Sequence, residues 1–151
     1  LGSSFLNPDA FALSMVRVNL ISPKLLSDQH LLAEHLEIMM LIDYARKHPS
    51  GDTPSRYCLG KGHIRFFRNK IKYLQKRFAL IQKEMKARGF RPKAKLSVKG
   101  VSRKLLNDWA PMAGDKKLIK ERILWKIRNK PSYYRYYGEK KPLSFFVRLM
   151  S

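Results

Sequence analysis

The sequence predicts an all-α protein, a compact single domain of about three main helices. A stripe of apolar residues recurs at spacings of three and four between residues 64 and 85, which is the pattern of a helix with one buried face. Helix start and stop signals bracket two further segments, near residues 28–47 and 116–129. We find no convincing strand pattern and no internal repeat, and 151 residues suit a single core.

The first main helix is predicted at about residues 28–47. Ser22-Pro23 is a good helix start, because serine caps an amino end and proline suits the first helical position. Ser27-Asp28 offers a second start, and the loop-forming run "HPSGDTP" should end the helix. The leucines available for the core are Leu31, Leu32 and Leu36.

The glycine turn "LGKGH" at residues 59–63 leads into the segment predicted to be the longest helix. Gly89 is its expected carboxyl-terminal cap, since glycine accepts the left-handed backbone found there. The apolar stripe of this helix consists of Ile64, Phe67, Ile71, Leu74, Phe78, Ile81 and Met85. Residues 90–100 are predicted to form a basic loop.

The last third of the chain is predicted to hold two further helices and an aromatic segment. A short helix at about residues 102–109 is broken by "APMAGD", and Asp115 can cap a helix over about 116–129. Pro131 ends that helix. The run "SYYRYYG" follows as an irregular segment, and the tail should coil once more around "LSFFVRL".

Residues 1–14 are expected to be an amino-terminal extension, non-native or disordered, ahead of a domain that spans residues 15–151. The extension lacks the basic residues of a transit or signal peptide. The single cysteine cannot form an internal disulfide, which favours an intracellular location, cytoplasmic or nucleoid-associated. No apolar run approaches the ~20 residues that a membrane span needs.

The charge of the chain is large and unevenly distributed. The sequence has 32 lysine and arginine residues against 11 acidic residues, a net charge of +21. Only four of the basic residues, but six of the acidic ones, precede residue 56. So many like charges repel one another unless a polyanion binds. Nucleic acid is the favoured partner; an anionic membrane surface and a role in solubility alone are the alternatives.

Acidic and imidazole groups gather on the first helix, which is unexpected in so basic a chain. His30, Glu34 and Glu37 are spaced to share one helix face. A metal site would need further ligands, and neither an HExxH motif nor a second ligand cluster supplies them. We therefore predict no metal at these residues. The alternative to a functional site here is an ordinary polar helix face exposed to solvent.

Basic and aromatic residues cluster near the carboxyl end. Arg122 and Lys126 are one helical turn apart, where like charges repel unless an anion such as a phosphate lies across them. A solvated basic face explains the pair equally well. Four tyrosines surround one arginine in the next segment: Tyr133, Tyr134, Arg135, Tyr136 and Tyr137. Such a segment suits stacking on bases or anchoring in the core, with one pair of rings inward and the other outward.

These motifs occur in a recognisable order. They are "MVRVNLISPKLLSDQHLLAEHLEI" from residue 15, "RKH" from 46, "LGKGHIRFFRNKIKYLQKR" from 59, "RGF" from 88 and "ERILWKIRNKPSYYRYYG" from 121. Together they resemble the pyrimidine-dimer DNA glycosylases of the phage endonuclease V type. The resemblance spans about residues 15–140.

The resemblance implies a small, monomeric, all-helical enzyme that needs no metal or cofactor. Such an enzyme clamps damaged duplex DNA, kinks it and flips a nucleotide out. The α-amino group of the processed first residue attacks C1′ of the sugar, the base leaves, an imine forms, and β-elimination nicks the strand. An α-amine suits this step because its ordinary pKa, about 7.7 to 8.0, leaves a neutral fraction near pH 7.

By the matching motifs, the resemblance assigns Val16 as the residue that carries the amine and Glu37 as the catalytic carboxylate. The residues that it implies for DNA binding are Arg17, Gln29, His30, Arg122, Lys126, Tyr133, Tyr134, Arg135 and Tyr136. Val16 replaces the family's usual threonine, and the chemistry requires a free amine there, so Met15 is a candidate start. Leu36 and Met40 occupy positions where the family usually has arginine.

Two functions of different classes follow from these observations. The first is a DNA repair glycosylase and abasic-site lyase that acts on pyrimidine dimers. The second is a non-catalytic nucleic-acid-binding protein on the same fold, for example an RNA-binding component of a ribosome or another ribonucleoprotein. Leu36, Met40, the residues before Val16 and the high charge favour the second.

Overall fold

The computed structural model describes residues 17–151, which form five α-helices and one short β-hairpin. Residues 1–14, predicted to be an extension, and Val16, predicted to carry the amine, lie outside the described residues. The elements are α1 (Asp28–Lys47), α2 (His63–Phe67), α3 (Ile71–Ala87), α4 (Ala113–Asn129), β1 (Arg135–Tyr136), β2 (Glu139–Lys140) and α5 (Leu143–Met150). Helices α1, α3 and α4 are much the longest, so the predicted all-α class with three main helices is confirmed.

Helix α1 has the predicted bounds. The Ser27 hydroxyl caps it by accepting from the backbone N–H of His30 at 3.1 Å. Leu31 is fully buried, but Leu36 is 59% exposed, so the prediction that Leu36 belongs to the core is wrong. Five residues turn a side chain by about 140° around a helix, away from the core that Leu31 faces.

The predicted longest helix is two helices in the structure, and α1, with 20 residues, is longer than either. The break lies at Arg68, whose side chain is buried. Its guanidinium donates to the main-chain oxygens of Ser50 and Asp52, at 3.2 and 2.5 Å. These bonds to a loop distant in sequence stabilise the turn, and no local pattern predicts them. Gly89 follows α3 with φ +91°, as its expected capping role requires.

The structure differs from two predictions about helices after residue 100. Only a short 3-10 turn, Arg103–Leu105, forms where the sequence predicts a helix over 102–109. Helix α4 begins at Ala113 rather than 116. The Asp115 carboxylate accepts from the backbone N–H of Met112 at 2.9 Å, so it stabilises the helix from within the first turn rather than from the cap position. Helix α5 confirms the prediction that the tail forms one further helical segment.

The aromatic segment contains a hairpin, so the predictions of an irregular segment and of no strand are wrong here. The paired residues are Arg135 with Lys140 and Tyr136 with Glu139. The loop residues Tyr137 and Gly138 have φ of 53° and 81°, and positive values at both positions are what a tight type I′ turn needs. The Asp28 carboxylate accepts from both of their backbone N–H groups, at 3.0 and 2.8 Å, and fastens the hairpin to α1.

The core forms where α1 packs against α3, with α4 and α5 packed against each other beside them. Leu31, Ile38, Leu74 and Ile81 are among its fully buried side chains. Within residues 17–151, no helix is both long enough and apolar enough to cross a bilayer. The packing leaves the amino end of α1 beside α4 and the tyrosine segment (residues 133–137), where the predicted site residues meet.

Candidate active site

A pocket of about 170 Å³ lies between the amino-terminal half of α1, helix α4 and the tyrosine segment. Seven predicted site residues line it: Arg17, Gln29, His30, Arg122, Lys126, Tyr133 and Tyr134. Asn19, Ala33, Ile119 and Ile123 complete the lining. The structure therefore brings together residues from both ends of the described chain, and three of them are cationic.

The stretch of chain before α1 is held in place by the loop that precedes α2 and by the first residue of that helix. The backbone N–H of Val18 donates to Nε2 of His63 at 3.1 Å, and the Tyr57 hydroxyl donates to the Val18 carbonyl at 2.9 Å. Arg17, which is buried, donates through Nε and Nη2 to the carbonyl of Leu59, at 3.0 and 2.7 Å. The first described residues thus have a defined position beside the pocket.

The His63 ring is neutral in this arrangement, and its contacts decide its tautomer. Nε2 must be unprotonated because it accepts from Val18, so the proton is on Nδ1, which lies 2.8 Å from the Cys58 carbonyl. Burial lowers the pKa of His63 to about 4, consistent with a neutral ring. Sequence reasoning did not identify His63 as part of the site, although it lies in the "LGKGH" motif.

Glu34 is a structural carboxylate rather than part of the predicted polar face. It is fully buried and accepts hydrogen bonds from Nε and Nη2 of Arg77, at 2.6 and 3.1 Å. It also accepts from the backbone and side-chain nitrogens of Asn19. This pairing removes Glu34 from the set that it forms with His30 and Glu37 in the sequence. Among residues 17–151, no group of three histidine, cysteine or acidic side chains is close enough to hold a metal.

Glu37 lies one helical turn after Ala33 of the pocket and is 4% exposed. Burial raises the pKa of Glu37 to about 7; the charges of Arg17 and Lys126 oppose this rise and that of Glu34 adds to it. A carboxyl group with such a pKa exchanges a proton readily near neutral pH. Because Glu37 is buried, the alternative of a solvated polar face is wrong for this residue.

Arg122 and Lys126 both face the pocket, which favours the anion-binding interpretation over a solvated basic face. Nε and Nη2 of Arg122 are buried and make no hydrogen bond to any described residue, while its guanidinium lies 4.5 Å from the Trp125 ring centroid. Burial lowers the pKa of Lys126 to about 8, with Arg122 and Arg17 adding to the decrease. A phosphate group would supply the acceptors that the Arg122 nitrogens lack.

His30 and Tyr134 form one wall of the pocket. Their rings are stacked, with centroids 4.9 Å apart and planes 6° from parallel. His30 Nδ1 lies 2.7 Å from the Ser27 hydroxyl, whereas its buried Nε2 makes no hydrogen bond within residues 17–151. Burial, with a smaller effect of Lys126, lowers the pKa of His30 to about 3, so the ring is a neutral platform at physiological pH.

Gln29 joins the amino end of α1 to the tyrosine segment. Its Nε2 donates to the Tyr133 carbonyl and its Oε1 accepts from the Arg135 backbone N–H, both at 2.9 Å. The amide therefore holds the main chain of that segment against the pocket, besides lining it. A direct contact between Gln29 and DNA stays a prediction.

The tyrosine segment presents its rings alternately, as the sequence predicts. Tyr134 is buried and Tyr136 partly so, whereas Tyr133 and Tyr137 are 48% and 49% exposed. Tyr136 does not line the pocket, since its hydroxyl donates to the Lys24 carbonyl at 2.8 Å. Arg135 is exposed and binds the Gly138 carbonyl at 2.9 Å. DNA contact by these two residues stays a prediction.

A comparison with protein families identifies the family of the chain. Residues 15–98, more than half of the chain, match the family model described as pyrimidine dimer DNA glycosylase. The chain therefore belongs to the pyrimidine dimer DNA glycosylase family, which confirms the resemblance found in the sequence. As a member, it is a DNA repair glycosylase in class, and its partner in that class is damaged DNA. Arg122, Lys126, Tyr133 and Tyr134 lie beyond the matched residues, yet they line one pocket with Arg17 and His30.

Proposed function

We propose that this protein acts on pyrimidine dimers in duplex DNA, first as a glycosylase that breaks one glycosidic bond of the dimer and then as an abasic-site lyase that cleaves the strand. The reactive group is the α-amine of Val16, which requires that Val16 be the first residue of the active chain. The amine attacks C1′, the base leaves with the electron pair of the glycosidic bond, and an imine forms as the sugar ring opens. Loss of a C2′ proton then expels the 3′-phosphate.

The observation that carries this proposal is the position of Arg17. It directly follows Val16 in the chain, it lines the pocket, and it is near enough to Glu37 to affect the pKa of that carboxyl. A nucleophile attached to Arg17 would therefore reach the neighbourhood of Glu37. In its ionised form Glu37 stabilises positive charge that develops on the sugar, and with a pKa of about 7 it can also transfer the proton that ring opening requires.

The cations of the pocket take the anionic part of the substrate. Arg17, Arg122 and Lys126 line the pocket, and the single carboxylate of Glu37 cannot neutralise their three positive charges. A phosphate next to the lesion is therefore the expected ligand. His30 and Tyr134, whose rings stack on each other, give the pocket an aromatic wall against which a base or sugar can pack. No step of this chemistry calls on a metal or a cofactor, and we propose that the protein acts as a monomer.

Borohydride trapping tests the proposal, because borohydride reduces an imine to a stable covalent adduct. Two forms of the protein, one beginning at Val16 and one at Leu1, are incubated with a duplex that contains an abasic site or a thymine dimer. We expect an adduct with the first form and none with the second. In the form that begins at Val16, Glu37→Gln should suppress cleavage of the dimer, with Glu121→Gln, an exposed glutamate of α4, as the control.

A second candidate function is DNA binding without cleavage. Leu36 and Met40 are 59% and 63% exposed at positions where the resemblance leads us to expect arginine. The family match concerns DNA, so this alternative is kept for DNA rather than for RNA. Damage-independent binding, with no adduct from either form of the protein, would favour it over the glycosylase.

A further inference from the structure

The segment after α3 displays a row of cations on one side. Its alternate side chains pack against the core: Ala94, Leu96 and Val98. The basic side chains between and beside them are exposed: Arg91, Lys93, Lys95 and Lys99. An extended chain has this alternation, because successive side chains point to opposite faces. We name the four exposed cations the basic stripe.

The basic stripe is held in place rather than left to move freely. Arg46, near the end of α1, donates through Nε to the Lys99 carbonyl and through Nη2 to the Ser97 carbonyl, both at 2.8 Å. Gln82 of α3 donates to the Ala94 carbonyl, also at 2.8 Å. A main chain fixed in the middle of the stripe and at its Lys99 end loses little conformational entropy when the stripe binds a ligand.

The charges of the stripe are uncompensated and close together: Arg91, Lys93 and Lys95 alternate along the segment, and Lys99 follows after Ser97. Within residues 17–151, none of the four cations takes part in a salt bridge. Alternate residues of an extended chain are about 6.7 Å apart. Phosphates along one DNA strand rise by about 3.4 Å along the axis and, because the strand also winds around it, lie roughly twice as far apart through space, so a two-residue step is close to one phosphate step. The stripe therefore fits a regular polyanion.

The basic stripe and the pocket lie on different sides of α1. The pocket takes Gln29, His30 and Ala33 from this helix, whereas the stripe is attached to Arg46, and Gln82 links it to His35 through a contact of 3.1 Å. At 3.6 residues per turn, Arg46 and His35 lie about 100° to 160° around the helix axis from these three residues. We therefore expect the stripe and the pocket to face different stretches of DNA.

We propose that the basic stripe binds the phosphate backbone of a second, undamaged stretch of duplex DNA while the pocket holds the first. One copy of the protein then bridges two DNA segments and can pass from one to the other without entering solution. The role of the pocket in this scheme rests on the proposed function. The stripe itself needs no lesion and takes no part in the chemistry.

A two-duplex capture experiment tests this inference. A biotinylated duplex that carries a reduced abasic site, which the lyase cannot cleave, a fluorescent undamaged duplex and the protein are mixed, and fluorescence recovered on streptavidin reports bridging. The variant is Lys93→Gln with Lys95→Gln. The matched control is Lys117→Gln with Arg128→Gln, which removes the same amount of charge from two exposed positions on α4. Cleavage of one short lesion-containing duplex is measured in parallel, so that a failure of the proposed chemistry is seen separately.

We expect bridging by the wild-type protein, a loss of about tenfold or more in the stripe variant, and little change in the control, because each phosphate contact contributes separately to salt-sensitive affinity. Absence of bridging by the wild-type protein would overturn the inference. Equal losses in both variants would also overturn it, since they would show a general effect of charge. If two protein copies bound to each other joined the duplexes instead, bridging would survive in the stripe variant. That result would also contradict the inference.

Discussion

The rings of His30 and Tyr134 stack 4.9 Å apart and within 6° of parallel, although one belongs to the first turn of α1 and the other to the segment after α4. Gln29 reinforces this junction by binding the main chain on either side of Tyr134. The pocket wall is therefore assembled from two parts of the chain that are distant in sequence. Its integrity depends on their packing.

The stacked pair leads to the first prediction. Tyr134→Leu removes the ring and should lower stability by about 1 kcal/mol beyond the loss of buried area, since aromatic pairs contribute about that amount. It should also weaken binding to an abasic-site duplex. Tyr134→Phe keeps the ring and is the control for both urea denaturation and DNA binding. If Leu and Phe bound DNA equally well, the ring would have no part in the site.

The second prediction concerns His63, which accepts from Val18 N–H. His63→Phe keeps an aromatic ring but leaves Val18 N–H and the Cys58 carbonyl unpaired, at a cost of about 1–3 kcal/mol near pH 7. Borohydride trapping should fall as well, because the chain next to Val16 loses a fixed point. His48→Phe, at an exposed histidine, is the control.

The stability difference for His63→Phe should depend on pH in a definite direction. The folded-state pKa of His63 is about 4, below the ordinary value of 6.5, so the unfolded chain binds the proton first as the pH falls. His63 makes its full contribution to the free energy of unfolding of the wild-type protein above pH 6.5, and this contribution decreases as the pH falls towards 4. The gap between wild type and His63→Phe should therefore narrow over that range. A gap that widened in acid would contradict the assigned neutral tautomer.

The third prediction is that Glu37→Gln increases stability while it removes activity. The pKa of Glu37 is raised from 4.5 to about 7, so the folded state binds its proton more tightly than the unfolded chain does. Stability is complete below pH 4.5 and decreases as the pH rises to about 7, by up to about 3 kcal/mol. Glutamine cannot ionise, so Glu37→Gln should be more stable than wild type at pH 8 and similar to it at pH 4.5.

Denaturation at both pH values, together with dimer cleavage, measures the two effects of Glu37→Gln. Glu121→Gln, on the exposed face of α4, should show neither. A variant that was stabilised at pH 8 yet fully active would mean that Glu37 is buried without being used in the reaction. A variant that was inactive and unfolded would contradict the assigned ionisation.

The fourth prediction concerns Lys126, whose pKa is lowered to about 8 by burial and by neighbouring cations. Between pH 7 and pH 9 the wild-type protein should lose one positive charge from the pocket. Its affinity for an abasic-site duplex should fall, and the slope of log affinity against log salt should decrease by about one contact. Lys126→Arg stays charged and should keep both values at pH 9.

Fluorescence anisotropy across a salt series measures the effect of Lys126. Lys117→Arg, at an exposed lysine of the same helix, is the control and should behave as wild type does. An equal loss of affinity at pH 9 in wild type and in Lys126→Arg would show that another group titrates in this range.

Much of the fold could be predicted from local patterns. The start of α1 at Asp28, its end at Lys47 and the end of α3 before Gly89 follow from capping residues and loop formers, which act within a few positions. The break at Arg68 was missed because it depends on carbonyls of a loop some 16 to 18 residues away. The hairpin was missed because Asp28, far along the chain, accepts from its turn.

The sequence by itself determined the all-α class, the family through its ordered motifs, the charge that calls for a polyanion, and the residue types of the site. Only the tertiary structure decided that Glu34 pairs with Arg77 while Glu37 is left to titrate near neutrality, although both carboxylates lie on one face of α1. The reason is that a helix pattern specifies the direction of a side chain but not its partner. Burial and opposite charge from distant segments then decide which carboxylate is structural and which can react.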